Sequence, residues 1–201
     1  MIYVLQRSAV CVMLLWPILS RGQGTLTITF DGPPTLLPGS AAVVQQYYES
    51  GMRFQPLPGT DGFTRVWSGS PAGWPNDGTP YVLSGAVDTL AFGFTDGSLF
   101  GLASVNLAGF SSSLPDYTVN FVGYYPNGST ITTSFSGTGI NFQTYTFDSA
   151  WSSGLTRVEI PNYGWSLDNL IVSVPEPGPG ALFVLGALTL SIWRSRTRNS
   201  P

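Results

Sequence analysis

Short runs in which apolar and polar residues alternate, each closed by glycine, proline, asparagine or aspartate, recur from Thr25 to Val174. This two-residue period, more than any other feature, limits what the chain can fold into. Thr25-Leu26-Thr27-Ile28-Thr29-Phe30 places Leu26, Ile28 and Phe30 on one face of a strand, and Leu90-Ala91-Phe92-Gly93-Phe94 repeats the pattern. Ser104–Phe110 and Thr156–Ile160 read as further strands. The strongest local signal is a hairpin: Tyr117–Tyr125, then Pro126-Asn127-Gly128, then Ser129–Phe135, because Asn-Gly between two alternating runs supplies the positive φ that a tight turn needs. Phe142–Phe147 and Ser166–Val174 bring the expectation to eight or nine strands, and Ser40–Tyr48 is expected to form a short helical turn. Strands at this spacing with no convincing helix predict an all-β, antiparallel β-sandwich of the jelly-roll type.

Composition agrees. Charged residues make up 9% of the chain, there is no His, and all eight cations are arginines, so long surface helices built on Glu and Lys are not available. From residue 25 to 172 the cations are Arg53, Arg65 and Arg157, against eight Asp and two Glu, a balance of 3 − 10 = −7. A body so poor in cations has no face for a phosphate backbone, which argues against nucleic acid as a partner. Without His, imidazole triads and imidazole metal sites are excluded. Cys11 is the single cysteine; it lies in the N-terminal apolar run, so thiol catalysis and disulfides are not expected of the body.

The two ends read as addresses. Residues 1–24 resemble a secretory signal peptide: Arg7, then the apolar run Ser8–Leu19, then small residues that place cleavage after Gly22 or Gly24. At the other end, Val174-Pro175-Glu176-Pro177-Gly178-Pro179-Gly180 is too rich in Pro and Gly for a helix or a central strand and reads as an extended spacer over 174–180. Residues 181–193 carry no charge and are expected to form a single transmembrane helix, with Trp193 at the interface. Arg194, Arg196 and Arg198 follow in the basic tail 194–201, and a cluster of this kind stays on the cytoplasmic side. Residues 180–193 would span about 21 Å as a helix against about 30 Å of hydrocarbon, a marginal span that suits a temporary anchor.

The order Val174-Pro175-Glu176-Pro177, apolar segment, arginine cluster at the C-terminus resembles the PEP-CTERM sorting signal of Gram-negative, exopolysaccharide-producing bacteria. The resemblance implies export through the Sec translocon, cleavage by signal peptidase, and recognition of the tail by exosortase, a membrane protease-transpeptidase that acts on such tails much as sortase acts on LPXTG tails. Transient inner-membrane anchoring would then end in delivery to the cell surface or extracellular matrix. A GPI signal, the nearest rival, usually ends apolar rather than in arginines. The intervening body, 25–173, is similar to the β-sandwich domains that often precede this tail, through Thr29-Phe30-Asp31, Ser104-Val105-Asn106-Leu107 leading to Val122-Gly123, and Ser166-Leu167-Asp168-Asn169-Leu170-Ile171-Val172. Such domains resemble carbohydrate-binding modules. A structural or polysaccharide-binding role linked to biofilm is therefore the expectation; the alternative is a secreted polysaccharide hydrolase or lyase using an Asp/Glu pair.

Among the body's residues, Asp31, Glu49 and Asp168 are candidate calcium ligands, since first and last strands of a jelly roll commonly lie side by side and Asp168 has apolar neighbours that leave its carboxylate in need of a partner. Ordinary turn and backbone hydrogen bonds would also account for them. Trp67, Trp74, Trp151 and Tyr163, with Tyr81, are candidates for stacking on a sugar; Trp67 and Trp74 lie on a Gly/Pro-rich loop, where a lid over the core is the favoured reading of such aromatics. No spacing singles out a catalytic pair: Asp61, Asp77, Asp96 and Asp116 all stand beside Gly or Pro, where aspartate serves the backbone of a turn.

Overall fold

The computed structural model describes residues 23–60, 62–67, 72–85 and 89–175. The signal peptide, the apolar span, the basic tail and Glu176 and Pro177 of the sorting motif lie outside them. Residues Gln23–Glu176 form one compact unit.

Two antiparallel sheets enclose a single main core. The strands in chain order are β1 Gln23–Ile28, β2 Ala41–Val44, β3 Tyr47–Glu49, β4 Met52–Gln55, β5 Phe63–Val66, β6 Tyr81–Ser84, β7 Leu90–Phe94, β8 Gly101–Gly109, β9 Asp116–Tyr124, β10 Thr130–Thr138, β11 Gln143–Thr146, β12 Arg157–Ile160 and β13 Trp165–Pro175. One sheet runs β11-β8-β13-β6-β5-β2, with β1 also paired to β13; the other runs β10-β9-β12-β7-β4-β3. Most connections cross from one sheet to the other, so each sheet mixes strands distant in sequence. Inward-facing residues of both layers, among them Ile28, Phe54, Phe92, Val105, Phe121, Trp151, Trp165 and Leu167, interdigitate. Leu26, Ile28 and Phe30 share the core face as the period predicts, although Phe30 lies past the strand end with φ +59°.

The 126–128 hairpin forms as its sequence demands. Gly128 has φ +83°, its N–H donates to Tyr125 O at 3.0 Å, and β9 pairs with β10 from Asp116↔Thr138 to Tyr124↔Thr130.

Three expectations change. Ser40–Tyr48 forms no helical turn: Ala41–Val44 and Tyr47–Glu49 are strands of different sheets. Five short strands, β2 to β6, escaped the sequence reading: β2 and β3 lie within the run expected to be helical, and β4 to β6 lie among Gly and Pro turns that interrupt any longer alternation. The described helical structure is a single 3₁₀ turn, Ser149–Trp151, capped by Asp148. Finally, Gln23 and Gly24, expected in the signal peptide, and Val174 and Pro175, expected in the spacer, pair with one another as the ends of β1 and β13.

β13 carries the decisive irregularity. Its N-terminal half pairs with β6 (Trp165↔Ser84 to Leu167↔Val82) and its C-terminal half with β1 (Leu170↔Ile28 to Pro175↔Gln23), while β8 lies along its other side. At the switch Asn169 adopts φ +45° and the register with β8 shifts. Such a bulge re-aims side chains: Trp165 and Leu167 point inward before it, Leu170 and Val172 after it.

At one end of the sandwich a buried polar cluster joins the sheets. Arg65, on β5, is fully buried; its guanidinium donates to the carbonyls of Phe30, Gly32 (2.8 Å) and Pro34 (2.9 Å) and lies 4.1 Å from the centroid of the Tyr47 ring. The Tyr47 hydroxyl, on β3 of the other sheet, accepts from Gly32 N–H at 2.8 Å and donates to Glu49 Oε2 at 2.7 Å. Glu49 also accepts from Phe30 N–H (2.9 Å), Thr29 N–H (3.0 Å) and the Thr29 hydroxyl (3.2 Å). Glu49→Ala deletes four hydrogen bonds to a charged acceptor and strands donors in a partly buried site, so we expect a loss of about 3 kcal/mol in denaturant unfolding with an unchanged m-value; a loss below about 0.5 kcal/mol, the range of an ordinary surface substitution, would contradict this account of the cluster.

Candidate functional site

A cleft of about 350 Å³ lies at the rim of the sandwich, lined by Gly85, Phe110, Leu114, Asp116, Tyr117, Thr118, Tyr163 and Gly164. Each wall is held by the backbone. Between β8 and β9 the chain makes a tight turn in which Leu114 N–H donates to Ser111 O at 3.0 Å and Ser111 N–H returns to Leu114 O at 3.4 Å. This turn holds Leu114 outward, 60% exposed. Opposite, Asn162 accepts from Asn120 N–H at 2.9 Å and donates through Nδ2 to Thr118 O. Its own carbonyl accepts from Trp165 Nε1 at 2.7 Å, and Gly164, at φ +86°, donates to Ser84 O at 3.1 Å. Tyr163 sits on this braced loop with 61% of its surface exposed. The floor is Tyr117, whose hydroxyl lies 2.9 Å from that of Tyr145 and 3.3 Å from Leu107 O; burial pushes its ionisation well above the usual tyrosine range. The Thr118 hydroxyl is 2.8 Å from Ser136 Oγ. The cleft thus combines an exposed aromatic ring and apolar surface with the Asp116 carboxylate and the Thr118 hydroxyl, a composition suited to a polar molecule with an apolar face.

Of the predicted stacking residues, only Tyr163 lies in this cleft. Trp151 belongs to the core at 1% exposure, packed on Phe147 with centroids 5.2 Å apart, so it stacks on no ligand: the 3₁₀ turn after Asp148 directs it inward. Tyr81 is fully buried as well. Trp74 is a lid: with Phe110, at 6.1 Å between centroids, and Phe142 it covers Val66, Tyr81 and Leu83 on the outer face of the first sheet. Trp67 is half-buried just past β5, its backbone N–H donating to Ser40 O.

The predicted calcium ligands do not converge. Among the described residues no group of three His, Cys, Asp or Glu is arranged to hold a metal. The first and last strands do pair, but β1 ends at Ile28 and the chain turns away at Phe30, leaving Asp31 exposed. Glu49 is engaged by backbone donors and Tyr47. Asp168 is fully buried, and its Oδ2 accepts from Thr79 Oγ1 (3.1 Å) and Asn169 Nδ2 (3.0 Å).

Sequence reasoning missed Phe110, Leu114, Asp116 and Thr118. Asp116 was read as a turn residue but opens β9; the usable signal was Leu114, a large apolar residue set in the polar run Ser111-Ser112-Ser113. On the outer face of the second sheet, Arg53 and Arg157 flank a smaller recess over Gly93. Arg157 is tied to Glu159 at 2.9 Å and covers the Tyr124 ring at 4.3 Å.

No protein-family model and no curated protein matches the chain. Among solved structures, a GH26-CBM35 β-(1,4)-mannanase from Podospora anserina is similar over 64% of this chain and 28% of its own length, with 19% identity and a TM-score of 0.34; this chain spans about a quarter of that protein, and a likeness so slight carries no argument about ligand or activity. No described helix is long and apolar enough to cross a membrane.

Burial, with the Asp77 carboxyl beside it, pushes Asp168 up to about 9, against about 4 for an exposed aspartate. A carboxyl that binds its proton more tightly when folded contributes stability fully below about pH 4 and loses it as pH rises toward about 9. In chelator-treated protein, the unfolding free energy should fall across that window and Asp168→Asn should flatten the fall; equal slopes for the two proteins would refute the assignment.

Proposed function

We propose that this chain is an exported surface or matrix protein whose β-sandwich, read as a jelly roll from the β1–β13 pairing, binds polysaccharide in the Tyr163 cleft. The observation that carries this is the placement of an exposed ring on a braced loop beside the Asp116 carboxylate and the Thr118 hydroxyl. A pyranose has an apolar face that stacks on such a ring and a rim of hydroxyls that a carboxylate and a hydroxyl can accept from or donate to. Preorganisation favours affinity here, since the loops carrying Leu114 and Tyr163 are held by backbone and Asn162 hydrogen bonds and need little ordering on binding. Stacking is tolerant of which sugar is presented, which suits recognition of a repetitive polymer. Tyr163→Ala should weaken binding to a polysaccharide panel about tenfold or more, the effect of losing about 1.5 kcal/mol of aromatic contact, with an unchanged Tm because the ring is exposed. Undiminished binding would remove the cleft from consideration.

The delivery route is the second half of the proposal. The motif Val174-Pro175-Glu176-Pro177, the uncharged stretch 181–193 and Arg194, Arg196 and Arg198 support sorting by exosortase after Sec-dependent export. Val174 and Pro175 end β13, the last strand described. Replacing Glu176 and Pro177 by Ala should leave the protein at its full length in the membrane fraction, whereas the natural sequence is shortened and released to the surface; equal shortening of both would overturn the route.

A further inference from the structure

A second feature, on the outer face of the first sheet, is independent of the glycan reading. Asp168 lies on the outer face of β13 beside the bulge, covered by the segment 72–80. It is fully buried, and its Oδ1 has no hydrogen-bond partner. Its carboxyl is within hydrogen-bonding reach of the Asp77 carboxyl. The Thr79 hydroxyl lies 2.9 Å from Asp77 Oδ1 and 3.1 Å from Asp168 Oδ2; carrying one hydrogen, it can donate to only one of the two. Tyr81, one position beyond the Leu167↔Val82 pair, contributes another fully buried oxygen without a partner, and the charge of Asp77 adds to burial in keeping that hydroxyl protonated.

Asp168 Oδ1 is thus a buried oxygen without a donor, in a carboxyl next to the exposed Asp77 carboxyl, an arrangement that is costly unless something positive is supplied. A shared proton satisfies one oxygen–oxygen contact. A hard divalent cation satisfies both carboxylates and the hydroxyl together, and it removes the repulsion between the two acids. Ca²⁺ is the better fit than Mg²⁺, since it accepts irregular sets of oxygens and bidentate carboxylates, whereas Mg²⁺ demands a near-ideal octahedron. We propose that Asp77 and Asp168, with Thr79 Oγ1, bind Ca²⁺, the remaining positions being filled by water. The ion would fasten the 72–80 segment, and with it the Trp74 lid, to the last strand.

The test uses the full chain stripped with EDTA and dialysed. Added Ca²⁺ should bind at one ion per chain by calorimetry and raise Tm by about 5–10 °C at a hundred times the Kd. Tb³⁺ in its place should give luminescence sensitised by the adjacent tyrosine. Asp77→Asn alters an exposed residue, so the metal-free protein should keep its Tm while its Ca²⁺ affinity falls at least tenfold; Asp168→Asn should abolish binding. Three results would each overturn the proposal: no change in Tm at about 1 mM Ca²⁺, a concentration that saturates all but the weakest protein sites; Asp77→Asn binding as tightly as the natural chain; or an Asp168→Asn protein that is more stable than the natural chain both with and without Ca²⁺, which would mean that Ca²⁺ does not displace the proton the carboxyl holds.

Discussion

A buried guanidinium sets the terms for one end of this sandwich. Arg65 carries its charge with no access to water, and desolvation lowers its hold on the proton. It is kept by three carbonyls, by the face of Tyr47 and, through the Tyr47 hydroxyl, by the negative charge of Glu49. These groups come from β5 in one sheet, β3 in the other, and the segment 29–34 that passes between. Because isolated buried charge is so unfavourable, the cluster admits few alternative arrangements. It therefore specifies how the chain leaves β1: Phe30 is drawn into the core with positive φ, and Asp31 is turned out to solvent.

That exit has a consequence at the far edge of β1. Since the first strand ends at Ile28, β13 must find another partner for its N-terminal half, and β6 supplies it. The two partners meet the same strand in different registers, and the bulge at Asn169 absorbs the difference. Asp168 is thereby fixed on the outer face, with Asn106 opposite it on β8 and Tyr81 alongside on β6. The lid of Trp74, Phe110 and Phe142 covers Val66, Tyr81 and Leu83 on that same outer face, where a sheet is ordinarily wet. An Arg-centred cluster and a carboxyl pair are thus linked through the length of one strand.

The cleft around Tyr163 is built by different means. Its loops expose Leu114 and Tyr163 but are shaped by carbonyl and amide contacts, with Asn162 standing in for the next rung of the β9–β12 ladder. A rigid scaffold with small exposed loops at its rim is the usual way a sandwich presents a binding surface. Phe110 belongs to both regions, lining the cleft and completing the Trp74 lid, so the two features are neighbours in the core even though they use separate polar groups.

By itself the sequence determined that the body between the two ends is all-β. The alternation from Thr25 to Phe30, the Asn127-Gly128 hairpin and the runs at 90–94, 104–110, 142–147, 156–160 and 166–174 are local signals, and side-chain period and turn chemistry act over a few residues. Tyr163 was likewise legible as an aromatic on a polar loop. What the tertiary structure alone decided was everything that depends on which strands become neighbours. β2 to β6 are short runs broken up by Gly and Pro turns; Trp151, Trp74 and Tyr163 look alike as letters but end as core, lid and exposed wall; Asp77 and Asp116 pass for turn residues until distant chain brings Asp168 and Tyr163 beside them. Pairing between strands far apart in sequence is set by closing one core around two sheets, and no window of neighbouring residues contains that information.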